Sequence, residues 1–229
     1  MNRMGQSAED KDYQGLPAVS RHQTRGEETA NAVSHGLGVL AALAGTPFLI
    51  GSAMRHGDAL FVAGVSLFAL TAILLYFASA LYHALPRGRL KHVFRVIEHS
   101  AIYLLIAGSY TPFTLGVLRG AMGWSLLVAV WGLATLGVAQ KTLGKVSHPW
   151  VSTGLYLAMG WLIVVALVPL VDRMAMAGLV WLVAGGLAYT VGVVFFMLDE
   201  RLRYGHFVWH LFVMLGTTCH YFAILWYGR

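Results

Sequence analysis

Seven long apolar runs constrain what this chain can fold into more than any other feature of its sequence. Crossing about 30 Å of hydrocarbon as a helix takes roughly 20 residues. Runs of that order are read over Ala30–Ala53, Ala59–Leu85, Val96–Val117, Met122–Ala139, Trp150–Val171, Ala177–Leu198 and His206–Tyr227, each bounded by charge, glycine or proline. The connections between them are short. Composition agrees: 11% of the 229 residues are charged, against about 25% in soluble domains, too few to cover a folded surface facing water. The sequence therefore predicts an all-α membrane protein, a seven-transmembrane helix bundle.

One membrane domain is expected over 27–229, behind a polar tail over 1–26 that is expected to be mobile. The tail has no apolar h-region, so no cleavable signal peptide is expected, and it matches no lipidation signal. The single cysteine, Cys219, excludes an intramolecular disulfide. The net charge of +6 would suit nucleic acid in a soluble protein; here it reflects basic loops gathered on one side of a membrane. No nucleic-acid partner is expected, and membrane lipids are.

Alternate loops fix the expected orientation. With the N-terminus cytoplasmic, twelve of the sixteen basic residues lie inside, leaving Arg55, Arg119, Arg173 and Arg229 outside. By the positive-inside rule the N-terminus is cytoplasmic and the C-terminus outside. That orientation speaks against the common G-protein-coupled receptors, whose N-terminus is outside. A retinal protein needs a lysine within a span, and Lys11, Lys91, Lys141 and Lys145 all lie in the tail or the inner loops.

Ionisable groups at membrane depth are costly and mark sites or water-filled cavities. His83 closes the second run, Glu98 and His99 open the third, and His206 and His210 open the seventh, all beside inner loops. Five such groups therefore share one depth, near the cytoplasmic face. His206 and His210, four apart on a helix, project from one face and can chelate one metal, as HExxH helices do. Ser79 has the same spacing to His83. Three imidazoles with an open fourth position describe a catalytic zinc site rather than a structural one, although copper, iron and nickel also accept neutral nitrogen. Taken singly, each histidine also reads as an interfacial residue with its polar edge in water, and Ser79 as a small packing residue or one bonded to its own helix.

Four segments carry a family resemblance: ETANAVSHG in the first run, SALYH in the second, EHSAIYLLIAGSYTPF in the third and GHFVWHLFVMLGTTCHYFAI in the seventh. In order and on these spans, they resemble the progestin and adipoQ receptor family, specifically its bacterial hemolysin III branch, from Glu27 to Tyr227. The resemblance implies seven helices, a cytoplasmic N-terminus and a zinc ion held by His83, His206 and His210. The family's serine falls on Ser79. Its carboxylate, usually aspartate, falls on Glu98, one methylene longer, which leaves open whether Glu98 ligates directly or through water. His220 matches a recurring histidine outside the ligand set; ten residues past His210, it stands about 15 Å further along a helix and reads as a residue hydrogen-bonded within the bundle. His99 is expected to pack or orient a neighbour. His35, Glu28 and Asn31 either hydrogen-bond behind the ligands or pack. Glycines and Pro47, Pro112 and Pro169 read as close helix packing and kinks.

The resemblance implies two functions of different class. One is a zinc-dependent hydrolase of an amide or ester bond in a membrane lipid bound within the bundle. There the metal activates water, Glu98 takes a proton, and Ser79 hydrogen-bonds the water or the developing oxyanion. The other is a non-enzymatic, receptor-like regulator of membrane homeostasis in which zinc fixes helix ends. The hemolysin name adds cytolysis, but the chain has no export signal and no amphipathic segment of a secreted pore former. An integral plasma-membrane location, the inner membrane of a bacterium, is expected.

Overall fold

A computed structural model describes residues 23–143 and 149–229. Residues 1–22 of the expected tail, and Lys145 with its loop, lie outside the described residues. All regular structure among the described residues is helical: α1 (Arg25–His56), α2 (Ala59–Ala84), α3 (Arg89–Leu115), α4 (Ala121–Thr142), α5 (Pro149–Trp161), a 3-10 segment (Leu162–Ala166), α6 (Leu167–Arg173), α7 (Met176–Met197) and α8 (Gly205–Tyr227).

Local chemistry explains where these helices start and stop. Thr24 and Glu27 form a reciprocal capping box at the start of α1, satisfying donors that the first turn leaves free. Asp58 caps α2 by accepting from the Phe61 N–H at 3.0 Å. The same carboxylate pairs with Arg119, in the loop after α3, with Nη2 2.8 Å from Oδ1. Arg119 first, then the Phe61 N–H, hold Asp58 down to about 2. Pro86 stops α2, and Gly88, at φ +157°, turns the chain into α3.

The fifth expected run is helical but broken, because Pro169 cannot donate to the carbonyl four residues back. A 3-10 stretch precedes it, and Tyr110 of α3 repairs the interruption. Its hydroxyl accepts from the Ile163 N–H at 2.8 Å and points to the carbonyls of Met159 and Gly160, 2.8 Å from each.

Among the described residues, six segments are helical, long and apolar enough to cross a membrane: α1, α2, α4, α7, α8 and the interrupted helix over Trp150–Arg173. The third expected run differs in composition. It folds as the long helix α3, but Arg89, Lys91, Arg95 and Glu98 in its first turns make it less apolar than the six. Its C-terminal half is buried almost without interruption from Ala107 to Leu115 and includes Ser109, Thr111 and Thr114. The reason is position: α3 packs on α2, α4, α5 and α8, so its surroundings are protein. Side chains such as Phe48, Val128, Leu136 and Val168 are exposed on the outside of the bundle, a surface suited to lipid rather than water.

Candidate metal centre

Three helix ends meet at one end of the bundle. His83 lies in the last turn of α2, Glu98 in the third turn of α3, and His206 and His210 in the first turns of α8. One ligand atom from each lies within 4.8 Å of the others, a group that could hold a metal ion. His83, Glu98 and His210 are buried, and His206 is half-buried.

Hydrogen bonds behind the rings assign a role to each nitrogen. Nδ1 of His83 lies 2.8 Å from Glu28 Oε2, and Nδ1 of His206 lies 2.8 Å from Asp199 Oδ2. A carboxylate only accepts, so both Nδ1 atoms carry a proton, and in the neutral ring each Nε2 keeps the lone pair. His210 reaches the same state by another route. The Ser34 hydroxyl donates to the Asn31 carbonyl at 2.8 Å. With its one proton engaged, Ser34 Oγ can only accept from His210 Nδ1, 3.0 Å away. Three bare Nε2 atoms result, and those of His83 and His206 are buried without any hydrogen-bond partner. Two orphaned acceptors are costly in a protein interior and are what a cation would satisfy. Imidazoles whose far nitrogens are held by carboxylate or hydroxyl oxygen are characteristic of metal sites. The donor set therefore fits a metal ion.

The carboxylates divide by position. Glu28 and Asp199 stand behind the rings, and Lys91 anchors Glu28 at 3.0 Å while donating to the last carbonyls of α2, those of Tyr82 and Leu85. Glu98 stands in front, with Oε1 3.6 Å from His83 Nε2. Ser79, fully buried, has its hydroxyl 3.5 Å from His210 Nε2. A cleft of about 370 Å³ opens beside the cluster, walled by Arg87, Lys91 and Arg95 together with Glu28 and Asp199.

The structure thus brings His83, His206, His210, Glu98 and Ser79 together. Of the two readings left open for α1, it realises the hydrogen-bonding one for Glu28 and, through its backbone carbonyl 3.3 Å from His210 Nδ1, for Asn31, while His35 stacks on His210. His99 turns aside, its Nδ1 donating to the Arg95 carbonyl at 2.7 Å. His220 packs against Tyr189 in the α7–α8 seam and is not in the cluster. Sequence reading missed Asp199, which lies in a turn with no repeat to flag it, and Ser34, which its place three residues after Asn31, on the same helix face, could have flagged.

The chain has relatives among known proteins. The family described as Haemolysin-III related matches residues 23–221. Hemolysin-3 of Bacillus cereus is 42% identical over 201 residues, covering 88% of this chain and 91% of that protein. The Hemolysin-3 homolog of Bacillus subtilis (strain 168) is 40% identical, covering 88% and 94%. The monocyte to macrophage differentiation factor of Homo sapiens is 30% identical over 223 residues, covering 91% and 87%. No solved structure matches. With six apolar spanning helices and relatives of this kind, the chain is a multi-pass membrane protein, and it belongs to the haemolysin-III related family.

Proposed function

We propose that α3 is a seventh span, that the N-terminus is cytoplasmic and the C-terminus outside, and that His83, His206 and His210 hold zinc near the cytoplasmic face. We further propose that the protein hydrolyses an amide or ester bond of a membrane lipid. Burial of α3 among its neighbours supports the seventh span, since a helix shielded from lipid can carry more polar residues.

The observation that carries the hydrolase reading is the placement of the third carboxylate. Glu28 and Asp199 are engaged behind the rings, whereas Glu98 faces the Nε2 side. A zinc ion there supplies Lewis acidity. Glu28, Asp199 and Ser34 keep the three Nε2 lone pairs available. Glu98 takes the proton of the attacking water and passes it to the leaving amine or alcohol as the C–N or C–O bond breaks, and the Ser79 hydroxyl hydrogen-bonds the oxyanion that develops on the substrate carbonyl.

A second reading follows from the same carboxylate. If Glu98 closes the coordination as a fourth ligand, the site is structural and the protein a non-enzymatic regulator with zinc tying α2, α3 and α8. Glu98→Gln separates the two readings, with zinc content, thermal stability and hydrolysis of vesicle lipids measured on one preparation. A hydrolase keeps zinc and fold but loses about 10²- to 10⁴-fold in rate. Full activity in zinc-loaded Glu98→Gln would overturn the hydrolase. Lower zinc content and stability, with no lipid turnover by the parent protein, would establish the structural site. Glu98→Asp, the carboxylate more usual in the resembled family, is the control and keeps activity.

A further inference from the structure

His35 lies one turn beyond Asn31 on α1 and is 2% exposed, yet neither of its ring nitrogens has a hydrogen-bond partner. Asn31 Oδ1, buried on the same helix face, has none either. A neutral imidazole offers one N–H and one lone pair, and leaving both unpaired away from water is costly. Unpaired buried groups of this kind call for an explanation, and a bound group that offers both a donor and an acceptor supplies one.

Position indicates what that is. The His35 ring lies parallel to His210, 7° between planes and 3.6 Å between centroids. His210 Nε2 belongs to the metal cluster and lies 3.5 Å from Ser79 Oγ. His35 therefore lies one ring thickness from the imidazole whose Nε2 faces Ser79 and the rest of the cluster. Stacking alone does not call for a histidine, because phenylalanine would stack as flat without burying two unpaired nitrogens.

We infer that His35 is a substrate-binding residue: its N–H donates to, and its bare nitrogen accepts from, a polar linkage carrying a carbonyl beside an N–H or O–H. The inference rests on the hydrolase reading. A group with acceptors alone, such as a carboxylate, answers only the N–H half and leaves the bare nitrogen and Asn31 Oδ1 unpaired.

The test uses the full chain loaded with cobalt in place of zinc, with two probes of equal chain length read through the visible cobalt spectrum. Dodecanohydroxamic acid brings an N–H beside its metal-binding oxygens, and dodecanoate brings oxygens alone. His35→Phe keeps the flat plate and removes both nitrogens. It is expected to retain cobalt while weakening hydroxamate binding about three- to tenfold more than dodecanoate binding, the range of the one extra hydrogen bond the hydroxamate N–H makes. Unchanged affinity for both probes, or equal weakening of both, would overturn the inference and leave the hydrolase reading standing. If the cobalt-loaded parent protein binds neither probe, the hydrolase reading fails and this inference with it. Should His35→Phe lose cobalt, His35→Leu is read in the same way; loss of cobalt in both would assign His35 to metal retention and overturn a role in substrate binding.

Discussion

Asp199 Oδ2 lies 2.8 Å from Nδ1 of His206, across the turn that joins α7 to α8. A residue outside both helices thereby sets the tautomer and direction of an imidazole in the candidate metal centre. Losing such a partner typically lowers metal affinity by about 10- to 100-fold. Asp199→Ala is expected to fall in that range in competition against a chromophoric chelator. Asp199→Asn, which still offers an accepting oxygen, should lose less. Wild-type affinity in Asp199→Ala would show that His206 is held by other means.

This pair marks the boundary of what the sequence made legible. The helices follow from apolar runs, and the grouping of His83, Glu98, His206 and His210 follows from spacing and shared depth. Periodicity carries no information about Asp199, because a turn has no repeat to place its side chains. The burial of α3 was equally hidden. Its charged first turns and hydroxyl-rich second half dilute the apolar signal, and only packing against four neighbours accounts for it.

Topology is open to a direct test. Reporters fused after Arg89 and Arg203 are expected to report cytoplasm, and those after Gly57, Arg119 and Arg173 the opposite side. A C-terminal fusion at Arg229 should lie outside. A cytoplasmic report from Arg229 would mean an even number of spans. It would also show that α3 does not cross, or that another helix fails to.

Neighbouring glycines in α7 make a packing prediction. A Cβ on Gly185 would stand 2.3 Å from His220 Cδ2 and 3.1 Å from the Gly216 carbonyl, whereas one on Gly186 meets nothing within 4 Å. Close approach of α7 and α8 thus depends on the first and not the second, as small residues allow in membrane bundles. Gly185→Ala is expected to cost about 1–3 kcal/mol through overpacking, read as a lowered melting temperature in detergent. Gly186→Ala should leave it unchanged or slightly raised. Equal effects would mean that the seam is not packed at His220.

The last prediction concerns the turn ahead of His206. Tyr204, at φ 60° and ψ 14°, is the one non-glycine residue with positive φ among the described residues. That conformation costs about 1–2 kcal/mol, so something must hold it. Its N–H donates to Glu27 Oε1 at 2.9 Å, while Glu27 Oε2 accepts from the N–H and the hydroxyl of Thr24, 2.9 Å each. One buried carboxylate therefore caps α1 and clamps the start of α8 two residues before a cluster histidine. Glu27→Ala leaves these donors without it, and burial makes each orphan cost about 1–3 kcal/mol. The turn then relaxes and takes His206 with it, so both stability and metal affinity should fall. Tyr204→Gly keeps the N–H bond and removes the steric cost, so metal affinity should stay near wild type while stability holds or rises. Chelator competition and thermal melts on the two variants separate clamp from strain. Metal affinity lost to the same degree in both would show that the tyrosine side chain, and not the clamped backbone, positions His206.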